Sequence, residues 1–202
     1  MKEHVVITIG REYCSGGRFI AQKIAQDLNI PFYDKELITL AAKKSGLSEA
    51  AIAASEKQRS SSLLYNLYTM GSSMPLADQV FVLQSQIIRE LAQQGPCVIL
   101  GRCGDYVLRE QPNVLKTYVY ASMDTRKEFA AQWEAAREES AANIQARIEK
   151  EDRKRASYYN YYTQHRWGEA GHYDLCLNAD LGRDICAEII EHAYLTMEAK
   201  LK

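Results

Sequence analysis

The run Val5-Val6-Ile7-Thr8-Ile9, followed at once by Gly10-Arg11-Glu12-Tyr13-Cys14-Ser15-Gly16-Gly17-Arg18, constrains the fold more than any other stretch. A β-branched, almost continuously apolar run suits a strand buried on both faces of a parallel sheet. After the glycine loop, Ile20, Ile24 and Leu28 recur at helical spacing with Ala21 and Ala25 beside them, and Asn29 and Pro31 end the pattern. Strand, glycine loop and helix in that order turn backbone N–H groups inward at a helix N-terminus. That makes an anion cradle at the carboxyl edge of a sheet. The loop departs from the phosphate-binding pattern G-x-x-x-x-G-K-[ST] in specific ways. It is one residue longer, Gly17 holds the lysine position and Arg18 holds the Ser/Thr position. Arg11 or Arg18 can supply the missing charge, and Ser15 a hydroxyl from a different place. The simpler alternative is a glycine turn that only closes a βα unit.

The rest of the chain repeats the alternation. Pro31–Asp34 reads as a second strand reaching a carboxylate. From 35 to 94 the pattern is helical, broken at Ser45-Gly46, Ser60-Ser61-Ser62 and 71–75, which suggests an inserted helical region rather than a separate domain. Asp78–Gln94 is its clearest helix, with Val82, Gln86, Ile87 and Leu91 on one face and Val80, Leu83 and Ile88 nearby. Cys97–Leu100 reads as strand three, Leu115–Ala121 as strand four and Tyr173–Asn178 as strand five. Asp124 is a candidate cap for the helix after strand four, the 126–166 stretch is long, helical and charged, and Asp184–Lys200 closes the chain as a helix. Strands alternating with helices imply an α/β fold: a three-layer, doubly wound, five-stranded parallel sheet. At 202 residues, one domain spanning 1–202 is expected.

Two further clusters carry chemistry. Gly101-Arg102 ends strand three on the same sheet edge as the first loop, and an arginine there can fork onto a phosphate or a base edge. Asp105 can pair with Arg102 or cap a helix. Glu149-Lys150-Glu151-Asp152-Arg153-Lys154-Arg155 is the densest charge run. It reads either as arginines that neutralise a transferred group, with Arg147, Arg155 and the tyrosines after them along one surface, or as a solvated helix paired Glu149–Arg153 and Glu151–Arg155. Lys+Arg number 25 against 26 Asp+Glu, a net charge of −1, which argues against a sequence-independent nucleic-acid binder and a polybasic membrane binder. The five cysteines show no C-x-x-C spacing, and His165 and His172 have no metal-like companions, so no metal site is expected. No signal-peptide core and no membrane span is evident, and reduced thiols fit a cytoplasmic protein. Four tyrosines around Asn160, with Trp167, read as lid packing, an oligomer contact or a stacking surface.

Together the motifs resemble the P-loop nucleoside-monophosphate kinases, and within them the cytidylate-kinase-like proteins. Ile7-Thr8-Ile9 through Ser15-Gly16, then Ile24-Ala25 and Leu28, resembles that group's first strand, loop and helix. Gly101-Arg102-Cys103 resembles the Gly-Arg-Asp of bacterial cytidylate kinases. Val119-Tyr120-Ala121-Ser122 with Arg126 resembles the start of the lid, and Asp152-Arg153-Lys154-Arg155 its Asp-Arg-x-Arg. An Arg-Glu-Tyr-x-Ser-Gly-Gly-Arg loop in place of the ordinary P-loop resembles one subgroup. Lys35 stands where cytidylate kinases carry a small hydroxyl residue, and Cys103 where they carry aspartate.

The resemblance implies a helical acceptor-binding insert over about 35–95 and a lid over about 126–166. It implies ATP with Mg²⁺ over Gly10, Arg11, Ser15, Gly16, Gly17 and Arg18, and an acceptor such as CMP held by Asp34 and Arg102. Arg126, Arg153 and Arg155 would stabilise charge in the transfer. The expected partners are ATP and a small phosphate-accepting molecule, not nucleic acid or a membrane, with a homo-oligomer left open. A nucleotide- or anion-binding module without transfer chemistry is the alternative, motivated by the absent lysine and hydroxyl.

Overall fold

The first strand, β1 (Val6–Arg11), lies at the centre of a five-stranded, wholly parallel sheet ordered β2-β3-β1-β4-β5. A computed structural model describes residues 3–34, 36–46, 48, 50, 75–133 and 141–201. The other strands are β2 (Phe32–Tyr33), β3 (Cys97–Leu100), β4 (Val114–Tyr120) and β5 (Leu175–Asn178). The helices are α1 (Gly17–Asp27), α2 (Glu36–Ser45), α3 (Leu76–Gln94), α4 (Gly104–Val107), α5 (Met123–Trp133), α6 (Ala141–Thr163) and α7 (Arg183–Ala199).

The continuous apolar run of β1 serves two cores. Val5, Ile7 and Ile9 pack with Ile20, Ala21 and Ile24 of α1 and with Cys186, Ala187 and Ile190 of α7. Val6 points to the other face, where Ile99 meets Leu37 of α2 and Val80, Ile87 and Ile88 of α3. Period-two alternation on a strand covered on both sides therefore needs apolar residues at every position. A smaller cluster, Ala130 of α5 with Ile144 and Ile148 of α6, packs on Tyr13 and Cys14 of the glycine loop. The charged region thus has a core of its own, seated on the loop.

Several expectations change in detail. The buried face of α3 is Val80, Gln84, Ile87, Ile88 and Leu91, while Val82 is 43% exposed. The helix is rotated because its partners, β3 and α2, select a stripe that includes the polar Gln84. The cap of α5 is Ser122, whose Oγ accepts the Thr125 N–H at 3.3 Å and whose carbonyl accepts the Arg126 N–H at 3.0 Å; Asp124 sits inside the first turn. Among the described residues of the 126–166 stretch, the helical ones lie in α5 and α6. All five cysteines are free; Cys97, Cys103 and Cys186 are buried, and Cys176 is only half-buried. Lys35, the Ser60–Ser62 break and positions 71–74 lie outside the described residues. Among the described residues, no helix is long and apolar enough to cross a membrane.

Candidate functional site

Because every strand runs the same way, the carboxyl ends of β1 and β3 open onto one crevice, and the glycine loop lies across it. The loop turns through Cys14 at φ 60° and Gly16 at φ 82°, and α1 begins at Gly17 with no side-chain cap. Its first amides keep the partial positive charge that suits an anion. The end of β3 turns just as sharply: Gly101, Arg102 and Cys103 have φ of 73°, 55° and 55°. Two successive non-glycine residues in the left-handed region are strained, a cost concentrated at sites that must aim a side chain.

The loop is held from outside by the charged helices. The Tyr13 amide donates to Asp152 Oδ1 at 2.7 Å, and Arg126 Nε donates to the Tyr13 carbonyl at 2.7 Å. Arg126, only 5% exposed, also pairs with Asp152 and with Glu12 at 3.3 Å. Glu12 accepts the Ala121 amide at 3.2 Å, and burial raises its carboxyl pKa although Arg126 pulls the other way. Arg155 Nη1 donates to the Arg11 carbonyl at 3.0 Å, and its guanidinium lies 5.1 Å from the Tyr13 ring centre. Arg147 reaches the Tyr13 hydroxyl at 3.3 Å.

Around this frame the arginines converge. The Arg11 guanidinium holds its proton less tightly than usual, through burial first and then the positive charges of Arg155, Arg102 and Arg18; Asp34 acts in the opposite sense. Arg155 is lowered as well, mainly by burial. Arg18 lies 3.4 Å from Asp34 with its side chain 41% exposed. A cavity of about 210 Å³ lies over the loop, lined by Gly16, Gly17, Arg18 and Asp34. A second, of about 220 Å³, is lined by Gly101, Arg102, Tyr158 and Trp167. Arg11 and Arg155 line both. A third space of about 560 Å³ lies on the far side of the loop, against Ser15, Phe19, Phe129 and Arg183. There the Arg183 guanidinium sits 5.7 Å from the Phe19 ring centre and 4.9 Å from that of Phe129.

The wall of the second cavity is tied by Asp105. This buried carboxylate accepts the Tyr159 hydroxyl at 2.6 Å and lies in the first turn of α4. Burial raises its pKa, partly offset by that hydrogen bond. His165 and His172 stack on one another with ring centres 4.0 Å apart. Among the described residues, no group of three His, Cys, Asp or Glu could hold a metal ion.

The structure therefore gathers Gly10, Arg11, Gly16, Gly17, Arg18, Asp34, Arg102 and Arg155 around the two cavities, with Ser15 at the third and Arg126 behind the loop. Arg153 is not among them: its side chain is 69% exposed and 3.7 Å from Glu149, the helix pair anticipated from spacing. Glu151 instead pairs with Lys154, leaving Arg155 for the loop. Sequence reasoning passed over Tyr13, Asp152 and Arg183. The first two stood inside motifs already singled out. Arg183 begins the helix after β5 and so lies at the same sheet edge.

The fold recurs in solved structures. A protein from Eubacterium ventriosum is 24% identical with a TM-score of 0.71, over 95% of this chain and 98% of that one. Shikimate kinase from Bacteroides thetaiotaomicron is 12% identical with a TM-score of 0.55, over 94% and 97%. A gluconokinase from Sinorhizobium meliloti is 13% identical with a TM-score of 0.53, over 100% and 97%. No curated protein sequence matches the chain. The parallel sheet is thus that of the P-loop kinases. With residues 6–181 matching its family model, from β1 to the turn before α7, the chain belongs to the cytidylate kinase-like family.

Proposed function

We propose that this chain transfers a phosphoryl group from ATP to a small acceptor, a nucleoside monophosphate such as CMP. One observation carries the reading: Arg11, Arg18, Arg102 and Arg155 surround two adjoining cavities at the end of β1 and β3, and the opposing charge felt by Arg11 is that of Asp34. Like charges gathered in a partly desolvated crevice repel one another, and an incoming polyanion removes that cost. Membership of a kinase-like family and the fold shared with shikimate kinase and gluconokinase point the same way.

In this reading the ATP phosphates rest on the α1 terminus over Gly16 and Gly17, with the base toward Phe19, Phe129 and Arg183. The acceptor lies in the aromatic cavity beside Arg102. The bond from the terminal phosphorus to the ADP oxygen breaks as a bond to an acceptor oxygen forms, roughly in line. Positioning and charge neutralisation supply the catalysis, with Arg155 on the transferred group. Arg126 holds α6 to the loop, and Arg153 enters the site only if α6 turns on closing. Magnesium bound with nucleotide needs one or two carboxylates besides the phosphates, and Asp34 in the loop cavity fits that need. The ion would screen the phosphate charges.

The test is a transfer assay with ATP and Mg²⁺ against CMP, dCMP, UMP and non-nucleotide acceptors, with Arg155→Ala as control. A product that depends on Arg155 supports the reading and names the acceptor. ATP binding with no product from any acceptor supports a binding module instead, the reading favoured by Gly17 and Arg18 standing where lysine and hydroxyl belong.

A further inference from the structure

We propose that Arg11 replaces the P-loop lysine by exchange of position: its stem fills the space of a side chain at Gly17, and its guanidinium supplies that side chain's charge between the donor and acceptor cavities. The inference rests on the ATP-binding reading above for its second half only.

A Cβ added at Gly17 would lie 2.7 Å from Arg11 Cβ and 3.0 Å from Arg11 Cγ, and next 3.5 Å from Val119 Cβ. Arg11 Cβ is fixed by the backbone of a paired strand and cannot swing aside, and Cγ moves only by a change of rotamer. Val119 is at ordinary contact distance. Gly17 is the first residue of α1 and has no positive φ, so its backbone admits any L-residue. What excludes a side chain there is Arg11 alone. The other end of Arg11 shows the same fit, since a Cβ at Gly101 would fall against Arg11 Nη1. The arginine thus runs from the lysine position of the loop to the end of β3, and it lines both cavities. A planar fork at that point can bridge phosphate oxygens from either side, where a lysine offers one compact charge.

The other arginines do not meet these conditions. Arg18 holds the Ser/Thr position and faces Asp34. Arg155 comes from α6, away from the loop position of the lysine, and spends one donor on the Arg11 carbonyl.

The experiment is a double-mutant cycle on the full chain, read by thermal stability and by binding of a fluorescent ATP analogue. Gly17→Ala is expected to lower the melting temperature in the wild-type background and to leave it unchanged or raise it beside Arg11→Gly, which removes the Cβ that Arg11→Ala would keep. Arg11→Ala should weaken ATP binding by roughly 10²-fold, the scale of a lost charged hydrogen-bonding partner. Arg11→Gly with Gly17→Lys should recover at least a tenfold part of the loss that Arg11→Gly shows. Equal destabilisation by Gly17→Ala in both backgrounds overturns the shared space. ATP binding unchanged in Arg11→Ala, or a folded Arg11→Gly/Gly17→Lys protein with no recovery, overturns the exchange of charge. A wild-type protein that binds no ATP overturns the kinase reading and the charge half together. The stability arm still decides the packing half.

Discussion

Arg153 and Arg155 stand two positions apart in one motif and face opposite environments, one in solvent against Glu149 and one against the glycine loop. A helical step of about 100° per residue makes this unavoidable, because positions i and i+2 never share a face. If transfer is the activity, Arg155→Ala should lower kcat by two or more orders of magnitude, while Arg153→Ala stays within about threefold of wild type. Steady-state kinetics on the two variants checks this, and equal losses would mean that α6 turns on closing. Asp105 gives a pH signature. Its native pKa is raised by burial, so the folded protein binds that proton more tightly than the unfolded chain does. The associated stability is complete below the ordinary aspartate range, about pH 4, and is lost as pH rises through the native value. Asp105→Asn keeps an acceptor for Tyr159 and should flatten that fall in urea melts from about pH 4.5 to 7.5. An unchanged slope would place the titration elsewhere, for instance at Glu12, which is also raised by burial. The thiols behave as packing: burial pushes Cys97 up to about 12 and Cys103 well up, which removes the nucleophilic thiolate at neutral pH.

At the scale of elements, α6 and the loop form one unit. Asp152 accepts the Tyr13 amide and neutralises Arg126, and the small core of Ala130, Ile144 and Ile148 packs on Tyr13 and Cys14. Removing one partner of a buried ion pair strands the other, which costs about 3 kcal/mol or more when no second carboxylate is near. Glu12 remains at 3.3 Å, so Asp152→Ala should cost about 2 kcal/mol, and Asp152→Asn less. Urea melts measure the loss, and faster proteolysis within 126–166 would show that it falls on this unit. A loss no greater than for an exposed acidic residue on α6 would refute the latch. The element pattern itself was legible, because a strand such as Cys97–Leu100 and a helix such as α1 are declared by residues a few positions apart. The rotation of α3 was not, since choosing Val80 and Gln84 over Val82 depends on what β3 and α2 present to it.

For the whole molecule, the sheet divides two cores and leaves a crevice open at its carboxyl edge. A ligand that binds only the folded chain stabilises it by mass action, about 2.7 kcal/mol at 100 times its Kd. ATP should therefore raise the melting temperature by about 2–4 °C per kcal/mol for a chain of this length. The shift should shrink in Arg155→Ala, and scanning calorimetry with and without nucleotide decides it. CMP alone should add a smaller, separate shift if the aromatic cavity beside Arg102 is its site, and none if that cavity belongs to another acceptor.

By itself the sequence determined that the chain would build a parallel α/β sheet with a glycine loop at its carboxyl edge. Hydrophobic periodicity and turn residues act over a few positions and can be read there. It also marked Arg11, Arg18, Arg102, Arg126, Arg153 and Arg155 as candidate anion ligands by their place beside strand ends and motifs. Only the tertiary structure decided which of them meet. The contact of Arg155 with the Arg11 carbonyl joins residues 144 positions apart, and that of Tyr13 with Asp152 spans 139. Side-chain direction at such distances follows from how helices rotate and pack against the sheet, and no local pattern encodes it. The same packing turned Gly17 from a missing lysine into the space through which Arg11 passes.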